Sequence, residues 1–141
     1  HICQLQQGLV RTSVGMICQA HRALFAIHIF IKPPQSRQQI TRMKNVLTYI
    51  RNNYGEPITL DELAAVAGMS PRYFCRAFAA LTGRTPIAYL NYYRIECACE
   101  RLTLTDKSVT EIAFACGFND MSYFSRVFKQ LKGTTPTAYR N

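Results

Sequence analysis

The feature that most constrains the fold of this chain is that it contains the same segment twice. Residues 59–69, TLDELAAVAGM, are answered by residues 108–118, SVTEIAFACGF, at a shift of 49. Further along, Tyr73-Phe74, Arg76, Phe78, Gly83, Thr85-Pro86, Ala88 and Tyr89 recur as Tyr123-Phe124, Arg126, Phe128, Gly133, Thr135-Pro136, Ala138 and Tyr139, at a shift of 50. One residue inserted in the turn of the second copy accounts for the change. Such a repeat predicts one supersecondary unit used twice.

Each copy carries the same helix punctuation. Thr59 with Glu62, and Ser108 with Glu111, have the spacing of capping boxes, in which a hydroxyl and a carboxylate satisfy the free amides of a helix start. Gly68 and Gly117 fall where that helix must end in a tight turn. Ser70-Pro71 starts the next helix with a cap and a first-turn proline, and Asp120 caps its counterpart. Gly83 and Gly133 end these helices, and Thr85-Pro86 and Thr135-Pro136 start new ones. A short helix, a glycine turn and a second helix form a helix-turn-helix. Between the copies, Pro86 to about Leu104 has neither glycine nor internal proline, so it reads as one rod about 27 Å long. Upstream, Met43, Val46, Leu47 and Ile50 mark a first helical face, ended by Gly55-Glu56-Pro57. The expected fold is all-α, with two helix-turn-helix units joined by a long linker helix.

Charge narrows the partners. The chain carries 17 Lys+Arg against 8 Asp+Glu, a formal net charge of +9. This excess favours an anionic partner, nucleic acid before an acidic membrane surface. Residues 1–40 hold four basic residues and no acidic ones, whereas residues 41–141 hold thirteen basic and eight acidic. The longer part is therefore salted with both signs, as a folded surface is.

Six cysteines, at positions 3, 18, 75, 97, 99 and 116, include no CxxC pair, and no histidine lies beyond His28. A zinc site has no support, no cofactor is expected, and the thiols read as free packing residues in a reducing cytoplasm. No nucleophile–base pair and no phosphate loop is recognisable, so no enzymatic activity is expected. Glu62, Glu111, Asp61 and Glu96/Glu100 read as caps and helix pairing. The longest nearly apolar run, Ala23 to Ile31, is too short to span a bilayer.

Residues 1–31 are apolar and Gln-rich, and Lys32 to Gln39 read as a Pro/Gln linker. The chain begins at His1 rather than Met and is read as a piece of a longer protein. The expected division is 1–39 as the end of an N-terminal sensor or dimerisation domain and 40–141 as the double helix-turn-helix. Within the latter, the first unit is 40–84, the linker helix 85–107 and the second unit 108–141.

The second helix of each unit is the candidate site. Tyr73, Phe74, Ala77, Phe78 and Leu81 form one apolar stripe, and Tyr123, Phe124, Val127, Phe128 and Leu131 form its twin; both are expected to face a core. Beside the stripes lie Arg72, Cys75 and Arg76 in one helix, and Met121, Ser122, Ser125, Arg126 and Lys129 in the other. Short side chains around an arginine suit a major groove, where Arg76 and Arg126 could pair bidentately with guanine. The alternative for any such arginine is a solvated surface residue. Tyr123 is read either as a base contact or as core, and Cys75 as a contact to a thymine methyl or to nothing. The helix starts at Ser70 and Asp120 could present amides to phosphate. Arg84, Thr85, Lys129 and Lys132 are candidate phosphate contacts, with a solvated face as the equal alternative.

Residues 40–141 resemble the C-terminal DNA-binding domain of AraC/XylS-family regulators. The second copy carries the resemblance most clearly, from Ser108-Val109-Thr110-Glu111-Ile112-Ala113 through Gly117-Phe118-Asn119-Asp120-Met121-Ser122-Tyr123-Phe124-Ser125-Arg126 to Gly133-Thr134-Thr135-Pro136. It implies a homeodomain-like fold of seven helices. Two recognition helices would enter successive major-groove segments about 34 Å apart. By position it places base contacts on Arg72, Cys75, Arg76, Met121, Ser122, Tyr123 and Arg126. It makes double-stranded DNA the partner, with RNA polymerase as a second one for an activator, homodimerisation through an N-terminal domain, an unidentified small-molecule effector and no membrane. The expected location is the bacterial cytoplasm, associated with the nucleoid through DNA. The competing reading is a helical docking or anti-activator module without site-specific DNA binding. A cysteine acceptor linked to DNA repair is a third reading, but no reactive cysteine in an electropositive pocket is recognisable.

Overall fold

A computed structural model describes residues 37–141. The apolar segment 1–31, its proposed dimerising role and the three histidines lie outside the described residues. Among the described residues there are seven helices and no strand: α1 Arg37–Asn53, α2 Leu60–Ala67, α3 Pro71–Thr82, α4 Pro86–Leu104, α5 Val109–Ala115, α6 Met121–Lys132 and α7 Pro136–Arg140. The expected all-α double helix-turn-helix is the fold observed.

The caps form where the sequence puts them. Thr59 and Ser108 accept from the amides of Glu62 and Glu111, at 3.2 and 3.1 Å. Gly68, Gly83 and Gly133 close α2, α3 and α6 in the left-handed region. One boundary differs from expectation: α1 begins at Arg37, so the last residues of the supposed linker are helical. Arg37, Gln38 and Gln39 have ordinary helix propensity, so nothing in their chemistry opposes the helix.

Two cores result, one per unit. The first takes Met43, Val46 and Ile50 from α1, Leu63, Ala64 and Ala67 from α2, Phe74, Phe78 and Leu81 from α3, and Leu90 from α4. The second takes Ile95, Ala98 and Leu102 from α4, Ile112 and Ala113 from α5, then Cys116, Phe118, Phe124, Val127 and Phe128. The sequence repeat survives at the level of ring geometry. Phe74 and Phe78 lie 5.6 Å apart at 57°, and Phe124 and Phe128 lie 5.7 Å apart at 56°. Phe78 meets Tyr89 edge-on at 5.7 Å, as Phe128 meets Tyr139 at 5.6 Å.

The linker helix α4 is more than a spacer. Its Ile95, Ala98 and Leu102 occupy the second core as Met43, Val46 and Ile50 occupy the first, at a shift of 52. α4 is thus the first helix of the second three-helix unit, and its N-terminal end, through Leu90, closes the core of the first. A helix covered on several sides loses its polar stripe. Cys97 and Cys99, which point in different directions, are accordingly both buried.

Two expectations about the stripes need correction. Phe74, Phe78, Phe124 and Phe128 are fully buried, but Tyr73 is 48% exposed, Tyr123 37% and Leu131 39%. The apolar stripe of each helix is therefore narrower than the periodicity suggests, and Tyr123 is not core. Glu100 is buried, and its Oε1 has no hydrogen-bond partner.

Candidate nucleic-acid interface

The candidate interface consists of the outward faces of α3 and α6. Each helix is held at its start by a side-chain cap. Ser70 Oγ accepts from the Tyr73 amide at 3.4 Å. Asp120 Oδ1 accepts from the amides of Ser122 and Tyr123 at 2.8 and 3.1 Å. The carboxylate also complements the positive end of the helix dipole. These contacts mean that two of the α6 amides expected to be open to phosphate are taken by Asp120 itself.

The fully buried phenylalanines fix the rotation of each helix. They turn Arg72 and Arg76 of α3 outward on one exposed face, four residues apart and so stacked along the same side. Ser122, Ser125, Arg126 and Lys129 form the matching exposed face of α6. Cys75 is half-buried at the edge of its face, and Met121 packs partly against the second core. The Arg126 guanidinium carbon lies 5.6 Å from the Tyr123 ring centroid, which restrains a long side chain on the open face.

The remaining candidates divide. Arg84 is exposed just after α3, its guanidinium carbon 3.9 Å from the Tyr92 ring centroid. Thr85 caps α4, accepting from the Ala88 amide at 3.2 Å. Lys132 is turned toward the linker helix, where it pairs with Glu96. Burial works against the lysine charge, but the hydrogen bond to Glu96 and the charge of that carboxylate outweigh it, and the lysine pKa is raised overall.

A feature that the sequence reading missed supports each recognition helix. Gln39 Nε2 of α1 donates to the Tyr73 hydroxyl at 2.7 Å. Asn91 Nδ2 of α4 donates to the Tyr123 hydroxyl, also at 2.7 Å. Gln39 and Asn91 occupy matching positions, at the same shift of 52 that relates the cores. An amide side chain thus ties the first turn of each recognition helix to the first helix of its own unit. Recognising that α4 answers α1 would have exposed this pair, but Gln against Asn and Met43 against Ile95 leave little visible identity.

Residues 63–141 match the family model described as a helix-turn-helix domain. The chain is 34% identical to the DNA-binding domain of AdpA, a global transcriptional factor solved in complex with a target DNA. That similarity covers 70% of this chain and 89% of the other, with a TM-score of 0.67. The chain belongs to the AraC/XylS family. AraC/XylS-type relatives include the HTH-type transcriptional activator RhaS of Klebsiella pneumoniae, 37% identical over 82 residues, which are 58% of this chain and 30% of that protein. An AraC-type DNA-binding domain from Chromobacterium violaceum superimposes with a TM-score of 0.66 at 29% identity, covering 71% of this chain and 89% of that one. The chain spans less than a third of the length of RhaS, so the family match concerns the DNA-binding part alone. Among the described residues no helix is long and apolar enough to cross a membrane.

Proposed function

We propose that this chain is the DNA-binding part of a non-enzymatic bacterial transcription regulator, reading two successive major-groove segments with α3 and α6. The observation that carries this is the pair of matched exposed faces, each centred on an arginine at the same repeat position, Arg76 and Arg126. A docking module has no use for that match. Arg72, Arg76, Ser122 and Arg126 take the base-reading roles, with Cys75, Met121 and Tyr123 contributing apolar or hydroxyl contact at the edges. Arg84 and Lys129 are the cations best placed for phosphates. Ser70, Thr85 and Asp120 contribute at helix starts, and Lys132 would have to leave Glu96 to reach the backbone.

Activation, contact with RNA polymerase, dimerisation and response to an effector belong to the intact regulator. The naming of RhaS as an activator supports the first of these. The bacterial cytoplasm is the location such a role requires.

The test is selection of bound sites from random duplex DNA by the wild type, Arg76→Ala and Arg126→Ala in parallel. A motif of two boxes is expected, each mutant blurring one box at a cost of about 1–3 kcal/mol. Equal losses on specific and random DNA for both mutants would remove the base-reading assignment and leave the docking module.

A further inference from the structure

Besides sharing α4, the two units touch at a close-packed junction. The turn that follows α1, at Tyr54 to Glu56, lies against the end of α5 in the other unit. At its centre is Arg94 of α4, only 8% exposed. Its Nε donates to the Tyr54 carbonyl and its Nη2 to the Glu56 carbonyl, both at 2.8 Å. Gly117, at φ +93°, sits directly on this contact: a Cβ there would lie 2.2 Å from the Tyr54 carbonyl oxygen and 2.7 Å from Arg94 Nε. The opposing Gly55 is tight to a lesser degree, since its Cβ would lie 3.1 Å from the Ala115 carbonyl oxygen. The Tyr54 ring packs against both cores.

The internal repeat supplies a built-in comparison. Arg42 in α1 matches Arg94 at the shift of 52, and its guanidinium carbon lies 3.9 Å from where a Cβ on Gly68 would sit. Each arginine therefore lies over the glycine of its own helix-turn-helix. The neighbours at Gly117 include the Tyr54 carbonyl of the other unit, whereas those at Gly68 do not. The arginine–glycine pair belongs to the unit itself, and the bond to two carbonyls is added only where one unit must be fixed on the other.

We propose that Arg94 is a positioning residue that sets the spacer between the two DNA boxes. The fork holds the α1 turn in one pose against the Gly117 turn, and so fixes α3 relative to α6. This rests on the two-helix DNA reading above. One base pair added between the boxes moves the second by about 3.4 Å and turns it by about 35°. Recognition helices fixed to each other cannot follow such a change, whereas helices on a loosened junction can. Lysine keeps the charge but offers no planar fork to two acceptors, and glutamine keeps a donor but is shorter.

The experiment is competitive selection by the whole chain on DNA carrying both boxes with the spacer varied by one or two base pairs either way. Wild type, Arg94→Lys and Arg94→Gln are compared, with Arg42→Lys as control and helicity verified for each. The wild type and Arg42→Lys are expected to disfavour a spacer changed by one base pair about tenfold or more. Either Arg94 variant that retains its helicity is expected to bring those spacers within about threefold while recovering the same letters in each box. An unchanged sharp optimum in a folded Arg94 variant, or a flat optimum in the wild type, overturns the proposal. Recovery of no paired boxes by the wild type would instead overturn the DNA reading and the positioning role together.

Discussion

Replacing Gly117 with alanine tests the packing of the junction quantitatively. Two penalties combine at this position. A left-handed backbone costs a residue with a Cβ about 1–2 kcal/mol. The Cβ must also displace the Tyr54 carbonyl, 2.2 Å away, and with it the bond from Arg94, a charged donor worth about 1.5–3 kcal/mol. The expected loss is about 3–5 kcal/mol, a large part of the stability of a domain this size. Gly133 provides the control. Its φ of +75° is also left-handed, but a Cβ there meets nothing within 4 Å. Gly133→Ala should cost only about 1 kcal/mol. Thermal denaturation followed by circular dichroism should place Gly117→Ala about 15–25 °C below the wild type and Gly133→Ala about 5 °C below it. Equal shifts for the two variants would refute the reasoning, because backbone conformation alone would then explain both.

Other outcomes follow from named contacts. Lys129→Ala should reduce the salt dependence of DNA binding by about one counterion. Lys132→Ala, which removes the partner of Glu96, should lower stability by no more than about 1 kcal/mol and leave the slope of binding against salt nearly unchanged. Burial lifts the Glu100 carboxyl above its ordinary value, with Arg101 partly opposing it. Its ionised form therefore disfavours the folded state above that raised value, and the effect vanishes below the unfolded pKa of about 4.3. Glu100→Gln should raise the melting temperature at pH 7 by a few degrees, about 1 kcal/mol, with no gain near pH 4; a lower melting temperature at pH 7 would contradict the unpartnered oxygen. Burial pushes the Cys99 and Cys116 thiols up to about 11. Peptide mapping after iodoacetamide treatment at pH 8 should find Cys75 modified and Cys97, Cys99 and Cys116 protected until unfolding.

Much of this architecture was legible in the residues. Hydroxyls, prolines and glycines act through local backbone chemistry, so Thr59, Ser108, Pro71, Gly83 and Gly133 announced their helix ends. The buried phenylalanines announced two faces. What escaped the reading depends on contacts between distant segments. Arg94 drew no notice in the sequence because its partners are backbone carbonyls, which leave no residue signature. Gly117 was legible as a turn but not as a contact surface. Lys132 resembled a phosphate ligand until its Glu96 neighbour, 36 residues away, came into view. Tyr73 and Tyr123 sat at the edge of an apolar period that could not tell a core ring from one standing half in solvent.

The shared helix α4 has a consequence for how such a chain can change over generations. Leu90 belongs to one core and Ile95 to the other, five positions later on the same uninterrupted rod. Inserting a single residue between them would rotate everything downstream by about 100° and pull one set of side chains out of its core. No loop intervenes to absorb the error. Substitutions on the outward faces of α3 and α6 carry no such penalty, so the letters recognised can drift one at a time. The arrangement of the two recognition surfaces is inherited as a unit and shifts only through the buried positions that hold the two units together, Arg94 among them.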